Sequence, residues 1–97
     1  MVIRNLGVDI TGDGDAHALS ASSVKVKWVQ VVGVSVADPA HAVRIGDSTT
    51  VDGNGAPIYS VGDGQFVTPV DVKSWYDLSQ IYYWAASGDK IAVIYGF

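Results

Sequence analysis

The chain has 97 residues and a formal net charge of −4, with ten Asp, no Glu and no Cys. This length predicts a single domain over residues 1–97. An acidic chain without a basic cluster argues against nucleic-acid binding, and the lack of Cys excludes disulfides and thiolate metal sites. Its first residues lack signal-peptide features and no apolar run approaches membrane-spanning length, so we expect a soluble chain made in the cytoplasm.

The N-terminal quarter carries little periodic pattern. A short first strand is predicted at Val2–Leu6, because its residues are mostly apolar and no helical spacing is present. The segment Gly7–Ser23 has the least pattern of the chain. We expect residues 1–23 to include an N-terminal arm or a long loop.

The strongest strand signal is Ser23–Ala37. In its first half Lys25 and Lys27 alternate with apolar residues, which predicts one solvent-exposed face and one buried face. From Val29 onward both faces are apolar, so we expect a core on one face and a covering loop or a partner on the other. Gly33 is predicted as a bulge or bend.

The remaining strands are short and are separated by turns. They are predicted at Val43–Asp47, Ile58–Val61, Gln65–Val70, Ile81–Ala85 and Lys90–Tyr95. The turns lie at Ala37–His41, Val51–Pro57, Gly62–Gly64 and Ser74–Ser79, and Ala86–Asp89 is expected to join the last two strands as a hairpin. About seven short strands with frequent turns predict an all-β fold, an antiparallel β-sandwich or a jelly-roll-like barrel.

One stretch resembles half of a calcium loop. Asp9, Thr11, Asp13 and Asp15 alternate around Gly14, as oxygen ligands do in the twelve-residue template. The template then fails, because Ser20 stands where a bidentate Glu is needed. A Gly- and Asp-rich turn is therefore the main interpretation, and Asp9, Asp13 and Asp15 stay as weak metal candidates.

Residues suited to catalysis do not form a motif. The only two histidines, His17 and His41, have no partner at metal-ligand spacing, and no pair of carboxylates is singled out. We therefore predict that the chain is not an enzyme and that it needs no cofactor.

Aromatic residues concentrate toward the C-terminus. Within Ile81–Ala85, Tyr82 and Trp84 share one strand face and Tyr83 lies on the other, so both faces are aromatic. One face can fill the core, and the other meets a covering loop such as Ser74–Ser79, a second subunit or a ligand such as a glycan. The interface candidates are Trp75, Tyr76, Tyr82 and Trp84.

Residues 43–97 resemble small structural proteins of tailed-phage virions. The resemblance is carried by four segments, with Trp28 and Gln30 fitting the entry to such domains: RIGD at Arg44–Asp47, VDGNGAP at Val51–Pro57, DLSQIY at Asp77–Tyr82 and AASGDKIAVIY at Ala85–Tyr95. It implies a decoration protein on the outer capsid surface, bound to the major capsid protein and often trimeric. A neck or tail component, and a carbohydrate-binding module on an appendage, remain alternatives.

Overall fold

A computed structural model of the chain describes residues 3–67 and 73–97, and for Val8 and Asp9 the backbone alone. These residues form ten strands and one short 3-10 helix, Pro39–His41. The strands are β1 (Ile3–Thr11), β2 (Ala16–Ala18), β3 (Lys25–Val26), β4 (Trp28–Ser35), β5 (Val43–Gly46), β6 (Ala56–Ile58), β7 (Gly64–Val67), β8 (Tyr76–Asp77), β9 (Tyr82–Trp84) and β10 (Lys90–Gly96). No helix in the described part is long and apolar enough to cross a membrane.

The strands pair into two four-stranded antiparallel sheets and one two-stranded ribbon. The larger sheet has the order β1-β10-β4-β7, the smaller sheet has the order β2-β9-β5-β6, and β3 pairs with β8. This arrangement confirms the predicted all-β antiparallel sandwich, although the described strands number ten and several have only two or three residues.

The core lies where the inner faces of the two sheets meet. Alternate residues of each strand point inward because successive side chains of a strand lie on opposite faces. Fully buried members include Val29, Val31, Ile91 and Val93 of the larger sheet and Val43 and Ile58 of the smaller sheet. Leu78 and Val26 extend this core toward the β3–β8 ribbon.

The predicted strand Ser23–Ala37 is divided in two at Lys27. Val26 and Val29 are both fully buried although they are three residues apart, so the inward face changes from even to odd positions at the break. The break arises because β3 pairs with β8, whereas β4 pairs with β10 and β7. The predicted irregularity at Gly33 is confirmed by a register shift between β4 and β10.

The predicted C-terminal hairpin is wrong. β9 belongs to the smaller sheet and β10 to the larger, so residues 85–89 cross between the sheets. The β1–β2 connection crosses beside them, with hydrogen bonds from Gly12 N to Asp89 O (2.7 Å) and from Gly14 N to Ala85 O (3.0 Å). We call residues 12–15 and 85–89 together the corner.

The segment Gly7–Ser23 is more ordered than the expected arm or long loop. The first strand does not end at Leu6 but continues to Thr11, and β2 follows at Ala16–Ala18. Two register shifts, at Asn5/Gly7 and Gly7/Ile10, interrupt the alternation of β1. These irregularities hide the period of two by which a strand is recognised from sequence.

Most of the predicted turns agree with the structure, but two contain strand residues: β8 lies within Ser74–Ser79, and β6 begins at Ala56, before the predicted end of Val51–Pro57. Gly53 and Gly55 both have positive φ, as the sequence of Val51–Pro57 requires. Strand β6 ends at Ile58, so Tyr59–Val61 belongs to the following turn and not to the predicted strand. Of the strand predicted at Gln65–Val70, the first three residues lie in β7, and residues 68–70 lie outside the described part of the chain.

Candidate functional site

The outer face of the larger sheet presents an uncharged surface that extends across all four of its strands. Antiparallel register aligns its side chains in three rows that cross the strands. The rows are Ile3–Gly96–Trp28, Asn5–Ile94–Gln30–Phe66 and Ala92–Val32–Gly64. We call these ten residues the outer face.

The outer face is mostly apolar, with Asn5 and Gln30 as its two polar side chains. Ile3 and Phe66, on the two edge strands, are 63% and 59% exposed, and Trp28, Val32 and Ile94 are half-buried between them. None of the ten residues carries a charge, whereas the chain as a whole has a formal charge of −4. An apolar patch of this kind is typical of a binding surface.

Gly96 lets the Trp28 indole lie flat in the end row of the outer face. A Cβ at this position would lie 2.3 Å from Trp28 Nε1, so the indole lies directly against the glycine backbone. The same indole is tilted against Phe66, with ring centroids 5.7 Å apart. The aromatic pair therefore has a fixed geometry before any partner binds, which lowers the entropic cost of binding.

The four predicted interface aromatics have different environments. Trp75 is 52% exposed, and Lys27 Nζ lies 3.7 Å from its ring centroid. Tyr76 packs partly against the core, and Tyr82 is half-buried. Trp84 is only 8% exposed, so it is not accessible to a partner in this structure.

Trp84 is covered by the corner and not by the expected Ser74–Ser79 loop. Its indole N–H donates to Gly14 O at 2.9 Å, across 70 positions in sequence. Tyr83, on the opposite strand face, points into the core. Trp84 and Tyr83 are therefore both covered within the chain, whereas Tyr82, on the same strand face as Trp84, is only half-buried.

The carboxylate of Asp13, a weak metal candidate, forms hydrogen bonds with nearby residues of the chain. Both oxygens lie within hydrogen-bonding distance of His17 Nε2, at 2.9 and 2.8 Å. A hydrogen bond from Asp15 N–H, and then the contact with His17, hold the pKa of Asp13 below its usual value. The Asp9 side chain is outside the described part, and the described residues contain no group of three or more His, Cys, Asp or Glu side chains able to hold a metal ion.

Three carboxylates of the phage-like segments hold turns together. Asp47 Oδ1 accepts from both the backbone N–H and the hydroxyl of Thr49, and Asp77 Oδ1 does the same for Ser79. Asp89 is buried in the corner and accepts from Ala37 N–H. These residues of the resemblance therefore have structural roles in this fold.

His41 forms a close pair with Asp52. His41 Nδ1 lies 2.7 Å from Asp52 Oδ2 and joins the 3-10 helix to the turn after β5. The hydrogen bond to Asp52, and then its negative charge, raise the pKa of His41 above the usual value. The contact therefore contributes stability below the pKa of the unfolded chain, about 6.5, and loses it as the pH rises through the higher folded pKa.

We expect Asp52→Asn to lower the His41 pKa, as measured by NMR titration of the ring protons. Asp38→Asn is the matched control, because Asp38 makes the smallest contribution to this shift and Asn also caps helices. A His41 pKa that does not change in Asp52→Asn, or that changes equally in both variants, would contradict this assignment.

A cleft of about 280 Å³ opens between the two sheets beside β5 and β7. Its walls are mostly apolar, with Ile45, Val67 and Ile81, and Gln65 and Gln80 lie at its polar side. Gln65 Nε2 donates to Pro57 O at 2.9 Å and so spans β7 and β6. The volume is just below the range of about 300–1,000 Å³ that is usual for ligand sites. The cleft is a weaker candidate than the outer face.

Comparison with protein-family models, with curated proteins and with solved structures finds no match for this chain. A function for this chain is therefore inferred from its fold and its surfaces. Sequence reasoning did not single out Trp28, Phe66 and Ile94 as interface residues. The signal that was available is the change to two apolar faces from Val29 onward.

Proposed function

We propose that this chain is a non-enzymatic structural protein of a tailed-phage virion, made in the host cytoplasm and bound to the outer capsid surface as a decoration protein. The outer face, uncharged and mostly apolar across four strands, is the observation that carries the proposal. The resemblance of residues 43–97 to virion proteins supplies the identity of the partner, the major capsid protein.

The size of the outer face favours a repeated partner over a single one. Four strands about 4.8 Å apart and three rows about 7 Å apart cover roughly 400 Å². A stable two-protein complex buries about 800 Å² on each partner. Binding by this face alone is therefore modest for each copy, and tight attachment would come from copies that are linked to one another and bind several sites of the lattice at once.

Reinforcement of the shell follows from mass action. A protein that binds only the assembled shell lowers the free energy of that state relative to the disassembled state. Copies that lie across subunit joints would stabilise those joints most. Particles stripped of the protein should therefore lose thermal or osmotic resistance, and resistance should return when purified protein is added.

We expect Phe66→Asp to weaken binding to stripped particles by at least about tenfold, which corresponds to about 1.4 kcal/mol. The substitution puts a charge into the middle row of the outer face, where binding would remove it from water. Co-sedimentation of purified protein with particles measures the effect.

Val51→Asp is the matched control for this experiment. Val51 is 52% exposed but lies in the turn after β5, away from the outer face. It should bind like the unmodified chain. Equal binding by all three proteins would refute the outer face as the docking surface.

Glycan binding on an appendage is the second candidate function, favoured by the exposed Trp75 ring beside Lys27. Exposed aromatic faces stack on sugar rings, and the neighbouring ammonium group suits an acidic sugar. Glycan binding that Trp75→Ala abolishes and Phe66→Ala leaves intact would favour this function. A neck or tail component would use the same outer face at a different place on the particle.

A further inference from the structure

Basic residues gather at one end of the sandwich. Strand register places Arg4 opposite Tyr95, and Lys27 N–H donates to Gly96 O, so both lie where β10 ends. Lys25 lies two residues before Lys27, and Lys73 two residues before Trp75, whose ring lies beside Lys27. Four of the six Lys and Arg side chains of the chain are therefore at this end, which we call the basic end.

Two described carboxylates lie near the basic end and keep their negative charge. Asp77 lies opposite Lys25 and accepts from the Ser23 hydroxyl and from Val24 N–H, and Asp47 accepts from Thr49 N–H. The described side chains at this end are therefore four cations and two carboxylates, which gives a net positive charge.

Acidic residues gather at the opposite end of the same strands. Asp13 and Asp15 follow β1 in the corner, Asp38 follows β4, and Asp63 precedes β7 beside Gly33. All four are exposed, and the two Lys and Arg residues that register places at this end are Lys90, opposite Thr11, and Arg44, opposite Trp84. We call it the acidic end.

Each end also presents apolar side chains among its charges. At the basic end Trp75 and Ile3 are exposed, and at the acidic end Val61 and Val34 are exposed, with Val61 at 65%. An apolar anchor surrounded by a polar rim is the usual anatomy of a protein interface. The two ends are complementary in charge and alike in having an anchor.

We propose that copies of this chain associate head to tail, with the acidic end of one copy against the basic end of the next. Such a contact is heterologous, so it forms a ring if the rotation between copies closes and a filament if it does not. The charges orient the encounter, and the apolar anchors hold it. The proposal does not depend on the capsid, because both surfaces belong to this chain.

Sedimentation velocity of the purified chain tests this association. At about 0.01 M salt the screening length is about 30 Å, and at about 1 M it is about 3 Å. We expect the sedimentation coefficient to rise with protein concentration at low salt and to return toward the monomer value at high salt. A monomer at every concentration and salt level would overturn the proposal, while leaving capsid binding to be tested separately.

Lys25→Glu and Lys90→Glu form a matched pair of variants. The first reverses a charge at the basic end and should reduce association at least about tenfold. The second makes the same charge reversal at the acidic end and should leave association equal or stronger. If both variants weaken association alike, net charge and not the pairing of ends is responsible, and the proposal fails.

Two double variants provide the most specific test of the pairing between the two ends. Lys25→Glu with Lys73→Glu gives a chain that is acidic at both ends, and Asp15→Lys with Asp63→Lys gives one that is basic at both. Each alone should be monomeric, and an equimolar mixture should associate. Thermal unfolding by circular dichroism confirms that each is folded. Folded variants that do not associate when mixed would refute the pairing of these two ends.

Discussion

Trp84→Ala is expected to lower the free energy of unfolding by about 3–5 kcal/mol, the range seen when a buried aromatic is truncated. Trp84 is 8% exposed and its indole N–H donates to Gly14 O in the corner. The substitution leaves a cavity beneath the corner and an unpaired carbonyl oxygen. Urea unfolding followed by far-UV circular dichroism measures the loss without depending on tryptophan fluorescence.

Trp75→Ala is the matched control for Trp84→Ala. Trp75 is the same residue type but is 52% exposed, and its contact with Lys27 is worth about 0.5–1 kcal/mol at an exposed site. We expect a loss below about 1 kcal/mol. Equal losses in the two variants would mean that Trp84 does not have the buried environment described above.

Gly12→Ala is expected to destabilise the chain by about 3 kcal/mol or more, the upper end of the range for overpacking. A Cβ at Gly12 would lie 2.4 Å from the Cβ of Ala85 and 2.6 Å from its carbonyl oxygen. Neither atom belongs to a flexible side chain, so relief requires the two crossing connections to separate. The hydrogen bond from Gly12 N–H to Asp89 O would lengthen as they do.

Two further variants separate the clash at Gly12 from other effects of adding a methyl group. Gly88→Ala is the control for the corner, because Gly88 has positive φ but nothing within 4 Å of a new Cβ. It should cost only the backbone strain of about 1 kcal/mol. Ala85→Gly in the Gly12→Ala background removes the nearest atom and should restore part of the stability. If Gly12→Ala is as stable as the unmodified chain, the two connections do not pack as described.

The fold class could be predicted because it depends on local signals. Asp52-Gly53 and Asn54-Gly55 specify a turn through backbone conformations that few other residues adopt, and Gly53 and Gly55 have the expected positive φ. The short apolar runs between such turns are too brief for helices. Neither signal depends on which strands pair.

The corner could not be predicted because it depends on contacts between distant residues. Ala86–Asp89 has the length and composition of a hairpin turn, and only its pairing with Gly12 shows that it crosses between sheets. The same pairing covers Trp84, which sequence analysis left as an interface candidate. A short connection between two strands does not specify which sheet each strand joins.

The outer face was partly predictable. Alternation in β4 places Trp28, Gln30 and Val32 on one face, and the apolar character of both faces from Val29 onward indicated that this face is covered or binds a partner. Its extent depends on the register that brings Phe66 and Ile94 beside Gln30. That register is set across strands from different parts of the chain and has no local sequence signal.

The most direct measurement is a cryo-EM reconstruction of intact particles that carry this protein, at a resolution that shows side chains. We expect the chain on the outer capsid surface, with Trp28, Phe66 and Ile94 against the major capsid protein and the core strands of the smaller sheet farther from the shell. A chain located elsewhere on the particle, or one on the shell with its outer face toward solvent, would contradict the proposed function.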